Sequence, residues 1–107
     1  MEYILAHDIG TGGNKVALTD KDGKIICSAF EEYGVDHPQP GWAEQAPEIW
    51  WSAIVKTTRH VMRVSGISPD DIAGISFSSQ MLGVLPVDED GRALRPCIIW
   101  LDCRAGE

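Results

Sequence analysis

The chain has 107 residues, 44% of them hydrophobic, and a formal net charge of −7. That length holds one domain with a single modest core. The acidic balance, with Lys and Arg scattered, excludes nucleic acid or an anionic membrane surface as a general partner, and no stretch is long and apolar enough to cross a bilayer as a helix.

Tyr3–His7 is a short apolar run fit for a central strand, and Asp8 ends it. Gly10, Gly12 and Gly13 follow and allow a tight turn, with positive φ open to it. Lys15–Thr19 then alternates, with Val16 and Leu18 on one face and Ala17 on the other. Asp20-Lys21-Asp22-Gly23 is a second hairpin turn, and Ile25–Glu32 a third strand. The glycines therefore join strand to strand, unlike the Walker and dinucleotide loops, which open helices. Such a hairpin can still hold phosphate, because backbone N–H groups without a Cβ approach an anion closely. Thr11 adds a hydroxyl donor, Lys15 a point charge, and Asp8 a carboxylate suited to Mg²⁺. An ordinary glycine hairpin is the alternative; against it stands Asp8, whose unpaired charge would be costly at the end of an apolar strand.

Tyr33 to Ala46 breaks regular structure, with His37-Pro38-Gln39-Pro40-Gly41-Trp42 at its centre. Trp42 is expected to pack on a surface rather than meet a ligand. Pro47 opens a helix that ends at Ser65-Gly66, with Trp50, Ala53, Ile54, Thr57, Val61 and Val64 as its apolar stripe. Ser68-Pro69-Asp70-Asp71 is a capped single turn, and Ile72–Ser79 a strand. Val84–Val87 and Pro96–Trp100, joined by a turn at Asp88-Glu89-Asp90-Gly91, read as a hairpin laid over the sheet. The order is a mixed α/β layout: an antiparallel meander of three, a helix, a parallel strand and an added hairpin. Cys27, Cys97 and Cys103 form no Cys-x-x-Cys pair, and no basic-then-apolar signal opens the chain, so a reducing cytoplasm is expected. His7, His37 and His60 show no metal-ligand spacing and read as structural or solvent-facing.

Four stretches together resemble the opening of an FGGY-family carbohydrate kinase in the style of the xylulokinases. They are Asp8-Ile9-Gly10-Thr11-Gly12-Gly13-Asn14-Lys15, Pro38-Gln39-Pro40-Gly41-Trp42-Ala43-Glu44-Gln45, Ser79-Gln80-Met81-Leu82-Gly83, and Trp100-Leu101-Asp102-Cys103-Arg104. The resemblance implies an actin-like, ribonuclease H-like fold in which ATP and a sugar meet between two domains. It gives Asp8 the Mg²⁺ role and Thr11, Gly12, Gly13 and Lys15 the ATP-phosphate role. It lines the sugar site with Gln80, Met81, Leu82, Trp100, Asp102 and Arg104. An indole can stack on a sugar's C–H face while Asp102 accepts from hydroxyls; Arg104 either joins them or simply pairs with Asp102.

Where many xylulokinase-like members carry Met-His-Gly, this chain has Met81-Leu82-Gly83. Leucine offers no hydrogen bond, and a hydroxyl losing its partner there would cost about 1–3 kcal/mol, which opens the substrate to another ketose, a polyol or a deoxy sugar. The family's catalytic aspartate, second phosphate loop and adenine pocket are expected downstream of Glu107. Residues 1–107 are thus expected to be the N-terminal part of the first actin-like domain, inactive alone and prone to self-association through the edge of Ile72–Ser78. A non-catalytic half-site module and a non-kinase actin-like ATPase are the alternatives.

Overall fold

The computed structural model describes residues 1–106. Its elements in chain order are β1 (Tyr3–Ile9), β2 (Gly13–Asp20), β3 (Ile25–Glu32), β4 (Glu44–Gln45), α1 (Pro47–Ser65), a 3₁₀ turn (Pro69–Asp71), β5 (Ile72–Ser79) and β6 (Cys97–Ile98). The first three strands form the expected antiparallel meander. β5 runs parallel to β1, so the main sheet has the order β3-β2-β1-β5.

Alternation sets the core. Leu5, Val16 and Leu18 point from the sheet onto Val61 of α1, with Tyr3, Cys27, Ala29, Ile67 and Ile72 at the margin. Pro47 starts the helix without a side-chain cap, and Gly66 ends it at φ 68°, its N–H donating to Met62 O. Ala53, Thr57 and Val61 of the expected stripe are buried, whereas Val64 is exposed. A second cluster of Ala43, Cys97 and Ile99 takes in Trp50 from the helix. His7 is also buried in the main layer. Asn14 Nδ2 donates to its Nδ1 (3.0 Å) and to Thr57 Oγ1 (3.0 Å), while Thr58 Oγ1 lies 3.1 Å from His7 Nε2, tying β1 and β2 to α1.

Two expectations need correction, and one open point is decided. β1 is central in strand order but covered on one face only, so Asp8 is exposed and pays no burial penalty. The first turn needs no positive φ: the glycines in that region are Gly23, Gly41, Gly66 and Gly91. The late hairpin exists only as Val84–Ile98 and Val87–Ala93 bridges around the Asp88–Gly91 turn. Its return leg, β6, pairs with β4, a two-residue strand inside the segment expected to be irregular. β5 is an edge among the described residues. Because α1 packs on β2 and β3, Ile75 and Phe77 remain more than half exposed.

Candidate functional site

Parallel pairing brings the ends of β1 and β5 side by side, and the β1–β2 turn closes over them. The result is a cleft of about 300 Å³ lined by Asp8, Gly10, Thr11, Ser79, Gln80, Met81 and Trp100. Asp8 is in register with Lys15 of β2 and Ser78 of β5, so all three stand on one face of the sheet. Ser78 Oγ donates to Asp8 Oδ1 (3.2 Å), while Oδ2 accepts nothing among the described residues.

The turn is held from below. Gly10 N donates to Gly13 O (2.9 Å), Tyr33 N to Gly12 O (3.1 Å), and the Tyr33 hydroxyl to Gly10 O (2.5 Å). Burial, and then the charge of Asp8, pushes the Tyr33 phenol up to about 12, so it remains a donor. The glycines differ. A Cβ on Gly13 would meet Phe30 Cζ at 2.3 Å and Glu31 O at 2.6 Å, whereas one on Gly12 would meet nothing within 4 Å. Gly13 is bare because the neighbouring strand packs against it; Gly12 is bare on an open surface.

Across the cleft, Trp100 Nε1 donates to Thr11 Oγ1 (2.8 Å), which fixes the indole while leaving it half exposed. Thr11 Oγ1 in turn donates to Gln80 Oε1 (3.4 Å), and Gln80 Nε2 to Gln45 Oε1 (2.8 Å). A separate ionic cluster lies behind this wall. Arg104 reaches Asp102 Oδ2 (2.7 Å) and Glu44 Oε2 (2.6 Å), and its guanidinium sits 3.8 Å over the Trp42 ring. Arg95 Nη2 meets the same Glu44 oxygen at 2.5 Å. Asp102 Oδ2 also accepts from Ala43 N (2.8 Å), and Oδ1 from Arg104 N (2.9 Å). Hydrogen bonds from Arg104 hold the Asp102 carboxyl well below the usual carboxylate range.

The structure therefore gathers Asp8, Thr11, Gln80, Met81 and Trp100 around one cleft, with Gly12 open beside them. Lys15 is exposed next to Asp8, outside the lining, and Gly13 is buried. Leu82 is exposed at φ 64° and is not among the residues that line the cleft. Asp102 and Arg104 are paired with each other, the arrangement left open by the sequence. Gln45, Tyr33 and Glu44 carry more of the site's architecture than sequence reasoning gave them. The one available signal was the polar Glu44-Gln45 pair held between Trp42 and the helix start.

No group of three or more metal-ligating side chains occurs among the described residues. A single exposed carboxylate with a free oxygen nonetheless suits Mg²⁺, which keeps several waters and takes its other oxygens from substrate phosphates.

Comparison with known proteins agrees with this architecture. A xylulose kinase of Staphylococcus xylosus is 35% identical over 107 residues, covering 100% of this chain and 22% of that protein. The crystal structure of a xyloylose kinase from Brucella ovis superposes with a TM-score of 0.93 at 36% identity, covering 97% of this chain and 22% of that one. That of a gluconate kinase from Lactobacillus acidophilus gives 0.89 at 30% identity, covering 98% and 21%. The chain thus spans about a fifth of the length of the relatives it matches. The mixed sheet with α1 is the actin-like ATPase arrangement. The profile of the FGGY family of carbohydrate kinases, N-terminal domain, matches residues 3–107, and the chain belongs to that family.

Proposed function

We propose that this chain supplies the ATP-phosphate hairpin and one wall of the sugar site of an ATP-dependent carbohydrate kinase, as the opening part of the first of two actin-like domains. Such an enzyme transfers the γ-phosphoryl group of ATP to a hydroxyl of a sugar or polyol. The observation that carries the reading is the meeting of Asp8 and Thr11 with Gln80, Met81 and Trp100 in one cleft.

Mg²⁺, when bound, would supply positive charge that offsets that of the phosphates. Asp8 would hold it through Oδ2, directly or through water, with Ser78 fixing the other oxygen. The Gly12 backbone offers an N–H with no side chain above it, and Lys15 adds positive charge on the same face as Asp8. On the opposite wall the Trp100 ring, fixed by Thr11, presents a face for the sugar's C–H groups, and Met81 extends the apolar surface. Asp102 and Arg104 serve this site by holding the Trp100 segment to Ala43 and Glu44. The base that takes the acceptor proton comes from outside these 107 residues, so the chain alone should turn over nothing. The acceptor is a ketose such as xylulose, or a polyol or sugar acid of similar size; the xylulose and gluconate kinases among its relatives support that range.

Sugar-dependent ADP release by the full-length protein, with xylulose, gluconate and glycerol in parallel, is the test. Turnover with one of them and background with the 107-residue chain are expected. Background from the full-length protein with all three would refute the reading.

A further inference from the structure

Gln45 is fully buried, is not part of the cleft wall, and uses all of its hydrogen-bonding capacity. Its Nε2 donates to Thr11 O (2.8 Å) and Gly34 O (3.0 Å). Its Oε1 accepts from Trp50 Nε1 (3.0 Å) and Gln80 Nε2 (2.8 Å). A carboxamide has two donors and two acceptor sites, and here all four are engaged. The amide cannot flip. An indole N–H only donates and a backbone carbonyl only accepts, so Trp50 and the two carbonyls dictate which end is oxygen.

That polarity passes to the cleft. Gln80 must turn its NH₂ toward Gln45, which leaves Gln80 Oε1 toward Thr11. The Thr11 hydroxyl then donates to Gln80 and is left to accept from Trp100 Nε1. Thr11, Gln80 and Gln45 form a closed ring of hydrogen bonds, with Thr11 contributing both its carbonyl and its hydroxyl. The Thr11 corner belongs to the glycine hairpin and holds the Trp100 indole of the opposite wall; the Gln80 corner belongs to the segment after β5.

We propose that Gln45 is the positioning residue that sets these two walls in one register, so that occupancy of the phosphate side and of the sugar side are energetically coupled through its amide. This rests on the kinase reading for the identity of the ligands, but the ring itself does not. A residue that merely supports the fold would lower stability and leave the coupling intact.

The test uses the full-length protein. Calorimetry gives the affinity for whichever of xylulose, gluconate or glycerol supports turnover, with and without Mg²⁺ and a non-hydrolysable ATP analogue. The nucleotide should tighten sugar binding by about fivefold or more in the unaltered protein, the lower range of ordinary coupling between sites. Gln45→Met keeps the side chain's length but none of its bonds, and should bring that factor close to one. Gln80→Met breaks the same ring from the other side, and the two together should lose no more than either alone. Gln80 lies half-buried after β5, so this variant decides the matter if Gln45→Met does not fold. Unchanged coupling in either folded variant, or no coupling in the unaltered protein, overturns the proposal. A second readout needs no sugar. Exchange of the Trp100 Nε1 hydrogen, followed by NMR on tryptophan-labelled protein, should speed up in Gln45→Met although the two side chains do not touch. If no sugar is turned over, the kinase reading fails, and this exchange measurement alone decides for or against the ring.

Discussion

Gly12 and Gly13 are neighbours in one turn, and the structure gives them opposite reasons for lacking a side chain. A Cβ on Gly13 would fall 2.3 Å from Phe30 Cζ, 2.7 Å from Phe30 Cε2 and 2.6 Å from Glu31 O. The Phe30 ring is largely exposed and can swing away. Glu31 O cannot, because it belongs to β3, paired with β2 through Asn14–Glu31 and Gly13–Glu32. Gly13→Ala must therefore push the strands apart, and overpacking of this kind costs about 1–3 kcal/mol. In a domain of this size each kcal/mol lowers Tm by about 4–8 °C. Adding Phe30→Ala should restore only part of the loss, since the carbonyl clash remains. Gly12→Ala meets nothing within 4 Å and its φ is not positive. It should be neutral, or stabilise by up to about 1 kcal/mol through the unfolded chain, while weakening nucleotide binding in the full-length protein. Thermal and urea unfolding, followed by calorimetry with a Mg²⁺–ATP analogue, separate the two. Gly13→Ala with unchanged stability, or Gly12→Ala with unchanged nucleotide affinity, would refute the division.

Other consequences can be measured independently. Burial lowers the pKa of His7 below its ordinary 6.5, with the Asn14 hydrogen bond opposing only in part. The unfolded chain therefore binds the proton more readily, and this stability is complete above pH 6.5 and lost as pH falls from there toward the folded-state value. Urea unfolding at pH 7.5 and pH 5 should show the loss, and a smaller one in His7→Gln; an equal loss in both would contradict it. Leu82 holds φ 64° with a largely exposed side chain, a backbone region costing a leucine about 1–2 kcal/mol. Leu82→Gly should raise the urea midpoint, and a lowered midpoint would count against it. The 107-residue chain alone should self-associate through β5, where Ile75 and Phe77 are exposed on a strand that is an edge among the described residues. Ser76→Lys should reduce this in light scattering across a dilution series, and a compact monomer at high concentration would argue against it.

The meander, α1 and β5 were legible because each announces itself locally. Alternation around Val16 and Leu18, the Pro47 start and Gly66 stop, and the two Asp-x-x-Gly turns all act over a few residues. In those turns Asp20 Oδ1 and Asp88 Oδ1 each accept two backbone N–H bonds, and Gly23 and Gly91 take positive φ. The β4–β6 ribbon was not legible. Glu44 and Gln45 have no strand-like composition and become strand because Arg95, Arg104, Gln80 and Thr11, distant in sequence, satisfy their buried polar groups. The same holds for the site. Asp8, Thr11 and Trp100 were identifiable as residue types, but the pairing of Asp102 with Arg104 depends on a cluster that only the folded chain assembles. Asp8 was singled out for a partly wrong reason: it is exposed, and what marks it is its place in register with Lys15 and Ser78 rather than a buried charge.

The claim that matters most is the division of the cleft into a phosphate side and a sugar side. Calorimetry on full-length Asp8→Ala, titrated separately with a Mg²⁺–ATP analogue and with the accepted sugar, tests it most directly. Nucleotide binding in the presence of Mg²⁺ should weaken by about tenfold or more, as expected for a lost charge-assisted ligand worth about 1.5–3 kcal/mol, while sugar binding without nucleotide stays unchanged; Trp100→Ala should do the reverse. Equal loss of both ligands in Asp8→Ala would contradict the account.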